Sequence, residues 1–410
     1  MFQATFAAIS IAAGALFFYT KTKVESYDDP AFRSFQKSYL SVYLLAVAGD
    51  WLQGPHVYAL YDLYGMSKHQ IEILFIAGFG SSLLFGTVIG SVADKFGRRW
   101  NCFLYAVLYG GACITKHVPF IRILMLGRFL GGIATSILYS AFESWLMFEH
   151  NKRGFTEGQL GTILSNAAVG NSLVAIVAGV VAQLAADTFG YVAPFDVALV
   201  VLGAMGVLVL STWPENYGNE RAPVKESFGV MYTFVLEWTP ALSQAAPIGT
   251  SIPHGLVFAS FMVATMMGSS LFKIFTKWTR VENLMRYTLL VAAVCLAVPL
   301  CLPFSLPSVL TAFIVFEMCV GIFWPSMAYL RGVYLPEETR STTINLFRIP
   351  LNLIVILILL QNLSMHTIFQ FCGCFLLVAG GAQHVLYSSS SHTPRLSSEK
   401  VPLEEIRSSP

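Results

Sequence analysis

Seven ionisable residues stand inside long apolar runs of this sequence: Asp50, Arg128, Glu143, Asp196, Glu237, Glu317 and Arg348. A charge at the centre of a bilayer costs about 2.5–3.5 kcal/mol on insertion scales, so such residues face a cavity or a partner. Arg128, in Gly127-Arg-Phe-Leu-Gly131-Gly132, and Arg348, in Asn345-Leu-Phe-Arg-Ile-Pro350-Leu-Asn352, each present a planar fork of donors. That fork fits a carboxylate or a tetrahedral oxyanion. Convergence of the two arginines on one anion is one expectation; neutralisation of Glu317 or Asp50 by either of them is the other. Asp50 lies in Gly49-Asp-Trp-Leu-Gln-Gly54-Pro55-His56. There Gly54 and Pro55 are expected to kink a helix and free its carbonyls toward a cavity lined by Asp50 and Gln53. Glu317 and Asn352 complete the candidate substrate-binding set. Asp196 and Glu237 fall nearer helix ends and are expected in solvent.

Between two apolar runs, Gly90-Ser-Val-Ala-Asp94-Lys95-Phe-Gly97-Arg98-Arg99 puts Gly97 at a tight turn and sets Asp94 against three bases. Such a cluster can lock neighbouring helix ends in one conformation, which is the chemistry of a gate. Glu143, in Ser140-Ala-Phe-Glu-Ser-Trp145, is expected to cap the basic residues and share that gating role. Every defined position matches G-x-x-x-D-(R/K)-x-G-(R/K)-(R/K), so the segment resembles the signature loop of the major facilitator superfamily. The resemblance implies a loop joining the second and third helices of a twelve-helix core.

Membrane helices must position these groups. A chain of 410 residues with 55% apolar and 12% charged content and a mean hydropathy of +0.64 is too apolar for a soluble globule. A net charge of +2 gives no reason to expect nucleic acid. About 20 apolar residues span the hydrocarbon core at roughly 1.5 Å per residue. Thirteen candidate spans follow: 1–20, 39–61, 71–92, 100–118, 120–148, 158–187, 192–212, 228–246, 253–275, 284–302, 306–330, 341–361 and 366–387. With the signature loop in the cytosol, twenty of the 25 basic residues fall in cytoplasmic segments, as the positive-inside rule requires. Residues 1–20 then form an extra N-terminal transmembrane helix. Lys21 and Lys23 follow it and no base precedes it, a polarity that favours a retained helix over a cleaved signal.

The expected fold is therefore an all-α membrane protein of two six-helix bundles, 39–212 and 228–387. They are joined by a cytoplasmic linker, 213–227, and followed by a disordered cytoplasmic tail, 388–410, rich in Ser and Pro. Traces of duplication support two halves. Arg128-x-x-x-Gly132-Ile133 aligns with Glu317-x-x-x-Gly321-Ile322, and Thr162-Ile163 with Asn171 aligns on Thr343-Ile344 with Asn352. The seventh core helix, from Phe228, has few apolar residues before Glu237 and Pro240 and reads as shortened. Asn362-Leu-Ser364 is a sequon too close to the membrane to be used. The seven cysteines lie in or beside apolar runs without metal-ligand spacing and read as packing residues. No nucleophile–base pair, metal cluster or phosphate loop suggests an enzyme or a cofactor.

Asp50-Trp-Leu-Gln-Gly-Pro, Gly127-Arg-Phe-Leu-Gly-Gly, Ser140-Ala-Phe-Glu-Ser-Trp, Glu215-Asn-Tyr, Trp238-Thr-Pro-Ala-Leu and Phe347-Arg-Ile-Pro-Leu-Asn together resemble the molybdate-anion transporter family. The likeness runs from about residue 36 to 387. It implies uptake of molybdate across the plasma membrane by a multi-pass secondary transporter, and it marks the shortened seventh helix as a departure from the family pattern. Two other functions compete. Trp51, Tyr58, Trp145 and Trp238 could line a site for a neutral solute such as a sugar, and a transporter-like receptor or scaffold needs no flux at all.

Overall fold

Polar interruptions in the sequence become helix ends. In this computed structural model, residues 1–23, 29–217, 238, 241, 242, 244–247, 254–335, 340, 342–344, 353, 356 and 364–392 are described. No strand occurs among the described residues. The helices are α1 (Phe2–Lys23), α2 (Pro30–Trp51), α3 (Val57–Leu63), α4 (Lys68–Phe96), α5 (Arg98–Thr115), α6 (Ile121–Leu138), α7 (Ala141–Lys152), α8 (Glu157–Phe189), α9 (Ala193–Thr212), α10 (His254–Phe275), α11 (Val281–Cys301), α12 (Leu306–Tyr334) and α13 (Met365–His392). Among the described residues, nine stretches are long and apolar enough to cross a membrane, the piece Ile121–Lys152 counting as one. Helices α2 and α5 carry Arg33, Lys37 and Asp50, and Arg98, Arg99 and Asn101, and do not qualify.

Two apolar cores divide the molecule. One gathers side chains of α2 to α9; the other gathers α10 to α13. Within the first, α4 packs on α6 and α5 on α6 and α9; within the second, α10 packs on α12 and α11 on α13. The halves meet where α8 packs against α10 and α12, and α1 lies along α10. Phe2 and Ile9 of α1 touch the second core.

Several boundaries differ from expectation. Helix α2 begins at Pro30 rather than at 39, because the Asp29 carboxylate accepts from the Ala31 amide at 2.9 Å and Pro30 occupies the first turn, the favoured start of a helix. Phe32, Phe35, Tyr39, Val42 and Ala46 form its buried stripe, whereas the polar residues between them hide that stripe from a hydropathy window. The span expected over 120–148 is broken at Tyr139–Ser140. The Ser140 amide bonds to Ile137 O at 3.1 Å, while its hydroxyl donates to Ser136 O at 2.7 Å, so a side chain replaces one rung of the helical ladder. In the expected linker Trp213 and Asn216 are buried, and Trp213 stacks on Trp145 at 3.7 Å. At the other end, 388–392 continue α13 as helix instead of starting a disordered tail. The expected shortened helix over 228–246 apart from a few residues, Glu237, the linker beyond 217, most of 341–361, Asn362 and the tail beyond 392 lie outside the described residues.

The weak internal repeat corresponds to a structural one. A Cβ on Gly132 would meet Gly78 O at 2.1 Å, and one on Gly321 would meet Thr265 O at 2.0 Å. Each glycine therefore lets two helix backbones touch, α4 with α6 and α10 with α12. Arg128 and Glu317 stand four residues before these crossings, at matching places in the two bundles.

Candidate functional site

A cavity of about 290 Å³ lies between the halves. Helix α2 contributes Tyr39, Tyr43, Asp50 and Trp51, and α8 contributes Asn171. Met262 and Thr265 come from α10, and Glu317, Trp324 and Arg331 from α12. Tyr139 and Glu143 enter from the break between α6 and α7, so that break positions Glu143. Tyr139 stacks on Trp324 across the halves at 6.2 Å.

Asp50 lines the cavity, and its Oδ1 accepts from Tyr109 OH at 2.5 Å. The helix also breaks where expected: α2 ends at Trp51, a single 3-10 turn covers Gly54–His56, and α3 follows. Gln53, however, is turned away from the cavity. Its amide donates to Gly49 O at 2.9 Å, because the Gln53 backbone N–H bonds to Asp50 O instead, and a carbonyl released by the kink is thereby satisfied.

Glu317 is buried on the cavity wall, where its Oε2 accepts from Thr265 Oγ1 at 2.9 Å. Just beyond it Pro325 lacks the N–H that would reach Gly321 O, and Ser269 Oγ donates to that carbonyl at 3.0 Å. Removing the hydroxyl leaves a buried acceptor without a donor, at a cost of about 1–3 kcal/mol. Ser269→Ala is therefore expected to lower the melting midpoint of the purified protein while Ser269→Thr retains it, as thermal unfolding in detergent will report.

Arg128 is not in the cavity lining. Its Nε donates to Leu74 O at 3.2 Å and its guanidinium lies 4.3 Å from the centre of the Phe75 ring, holding α6 on α4. Glu317, at the matching position, lines the cavity and is bonded by Thr265. Arg348 and Asn352 lie outside the described residues. Asp196 is half exposed and 3.0 Å from His117.

The signature segment is built as a latch. Asp94 Oδ1 accepts from Arg98 Nε and Nη2 at 3.2 and 3.0 Å, while Oδ2 accepts from the Thr342 amide and hydroxyl at 3.0 and 2.9 Å. One carboxylate thus ties the first bundle to the start of the 342–344 helical segment in the second. Arg98 is fully buried and also donates to Ser144 O at 3.1 Å. Lys95 is exposed and Gly90 buried. Gly97 has φ 114°, and a Cβ there would sit 2.5 Å from the Glu215 carboxyl carbon. Glu215 Oε1 and Oε2 accept from the Arg99 and Trp100 amides at 2.7 and 3.3 Å, capping the positive end of α5. Gly97→Ala is expected to lose about 1–3 kcal/mol to the positive-φ backbone alone and to displace Glu215. A lowered yield of folded protein by size-exclusion chromatography will check it.

Glu143 meets a different partner from the one expected. Arg331 Nε and Nη2 donate to its two oxygens at 2.7 and 2.5 Å, so it bridges the bundles instead of capping the signature bases, a task that falls to Glu215. Tyr329 OH donates to Glu157 Oε2 at 2.6 Å, Ser165 Oγ to Ser269 O at 2.6 Å, and Lys273 Nζ to Asn166 Oδ1. These contacts join α8 of the first half to α10 and α12 of the second. The sequence gives no sign of the roles of Glu215, Arg331 and Glu157, because Arg331 and Glu157 lie at helix ends and Glu215 just past one, where a charge is unremarkable.

Residues 1–230 and 228–323 match the family described as sugar transporters, 12 TM. The molybdate-anion transporter of Danio rerio is 33% identical over 391 residues, covering 81% of this chain and 80% of that protein. That of Xenopus laevis is 32% identical over 390 residues, covering 86% and 85%. Two solved structures share the fold: the human organic anion transporter MFSD10 (TETRAN), with TM-score 0.66, 12% identity and coverage of 87% of this chain and 100% of that one, and the proton:xylose symporter XylE bound to 6-bromo-6-deoxy-D-glucose, with TM-score 0.68, 12% identity and coverage of 85% and 95%.

Proposed function

This chain belongs to the molybdate-anion transporter family of the major facilitator superfamily, and from that premise we propose that it carries molybdate into the cell across the plasma membrane by alternating access. It is a multi-pass membrane transporter and not an enzyme. The observation that carries the substrate is the likeness to proteins named for molybdate over four fifths or more of their length. The cavity supports it: 290 Å³ holds a tetrahedral oxyanion with several waters at about 30 Å³ each.

We place the signature end in the cytosol, so the closed latch belongs to a state that receives substrate from outside. Ile344 lines the cavity, and in the helix expected over 341–361 Arg348 falls one turn further on. Arg348 is accordingly assigned to the anion, with Asn352, Asp50 and Glu317 around it, whereas Arg128 supports the bundle. Arg348→Ala is expected to abolish accumulation of labelled molybdate by the full chain in liposomes. Uptake at the wild-type rate removes this assignment.

A second reading rests on the stacked Tyr139–Trp324 pair and Trp51, aromatic walls suited to the apolar face of a sugar. Competition in the same liposomes separates the two: excess sulfate suppresses molybdate entry if the site reads a tetrahedral dianion, and a hexose does so if it reads a sugar. Absence of any flux would favour a receptor.

A further inference from the structure

We propose that Glu317 is the site of a coupling proton, taken up from the outer side with the oxyanion and released to the cytosol. The inference rests on the molybdate reading and deepens it. Of the other acids on the cavity wall, Glu143 receives the Arg331 guanidinium, and Asp50, less buried than Glu317, receives Tyr109 OH at 2.5 Å. Among the described residues Glu317 receives only the neutral Thr265 hydroxyl.

Among the described residues, the groups that face it do not supply a counter-charge. On its own helix Arg331 is fourteen residues away, about 21 Å by helical rise, and bound to Glu143; Cys319 is neutral packing. Helix α8 brings Asn171 and Ser172 to the same cavity wall. On α10 Lys273 lies two turns toward the signature end, bonded to Asn166. Across the cavity stand Tyr43 and Asp50. Arg348 lies outside the described residues and is assigned to the anion.

A doubly negative oxyanion entering this space would meet Asp50 and Glu317 as like charges in a medium of low dielectric, where repulsion is strong. A proton on a Glu317 oxygen removes one of those charges and turns a repelling acceptor into a hydrogen-bond donor for the oxyanion. Opening toward the cytosol hydrates the carboxyl and lets the proton leave with the substrate. The balance is one proton moved per oxyanion, with no bond in the substrate broken. The geometry that holds the carboxyl is rigid, since the Gly268–Gly321 backbone contact beside it admits no Cβ.

The test uses the full chain in liposomes with the membrane potential clamped at zero and labelled molybdate at equal concentration on both sides. With the outside one pH unit more acid, the wild type is expected to accumulate label about tenfold at steady state, the limit for one proton. Glu317→Gln is expected to exchange label more slowly and to level off at a ratio of one, a value independent of rate. A tenfold ratio in Glu317→Gln overturns the proposal, as does a wild type that exchanges label but ignores the gradient. Where Glu317→Gln exchanges nothing, Glu317→Asp decides: a restored gradient response supports the proposal and a ratio of one overturns it. No exchange by the wild type at either pH removes the molybdate reading and this inference with it.

Discussion

Arg331→Ala is expected to reduce initial molybdate uptake about thirtyfold or more while the protein still reaches the membrane. The Glu143–Arg331 pair joins the bundles beside the cavity, with side chains only 15% and 10% exposed. Removing the cation strands a carboxylate; because both side chains keep some exposure, a cost of about 2 kcal/mol, below the ~3–5 kcal/mol of a fully buried pair, is enough for the closed state to lose roughly a factor of thirty in population. A transporter that cannot close at the signature end cannot reset to receive substrate from outside. Glu143→Gln should resemble it. The double substitution Glu143→Gln with Arg331→Gln should be milder than either single change, because no charge is left without its partner. Initial rates normalised to surface abundance check this. A double variant as impaired as the sum of the singles would show that the two residues do not act as a pair.

Asp94→Asn is expected to be at least as damaging and to act on stability as well as transport. An amide cannot accept on both oxygen positions, yet Asp94 accepts two bonds from Arg98 and two from Thr342. Asparagine would present an NH₂ group to either a guanidinium or a backbone N–H, and Arg98 would remain in the interior as an isolated cation. Breaking a buried pair in this way costs about 3–5 kcal/mol. The expected result is a melting midpoint lower by several degrees and uptake near background. Uptake near wild type would mean that the Asp94–Thr342 tie does not govern closure.

Much of the architecture was legible in the sequence because apolar length and basic asymmetry are local quantities. The break in α2 could be read from Gly54 and Pro55, and the latch from the offsets between Asp94, Gly97 and Arg98. Asp50 was found because a charge in an apolar run is conspicuous. Arg128 was equally conspicuous, but its direction depends on Leu74 and Phe75 of another helix, and no spacing within its own helix reports that. Gln53 misled for the same reason: it repairs a carbonyl freed by the kink, a need visible only once the backbone bonds are traced. The start of α2 was misjudged because a window averages both faces of an amphipathic helix.

By itself the sequence determined a polytopic membrane chain, its two halves, the signature latch and a family resemblance, since each rests on hydropathy, composition or residue order along one strand of backbone. Tertiary structure decided which charges face each other across the halves. It gave Glu143 to Arg331, Glu215 to the start of α5, Arg128 to the packing of α4 on α6, and Glu317 to the cavity wall. Those partnerships join residues from 52 to 188 positions apart, and the energy that selects them, desolvation of one charge against its pairing with another, exists only after the helices have been brought together.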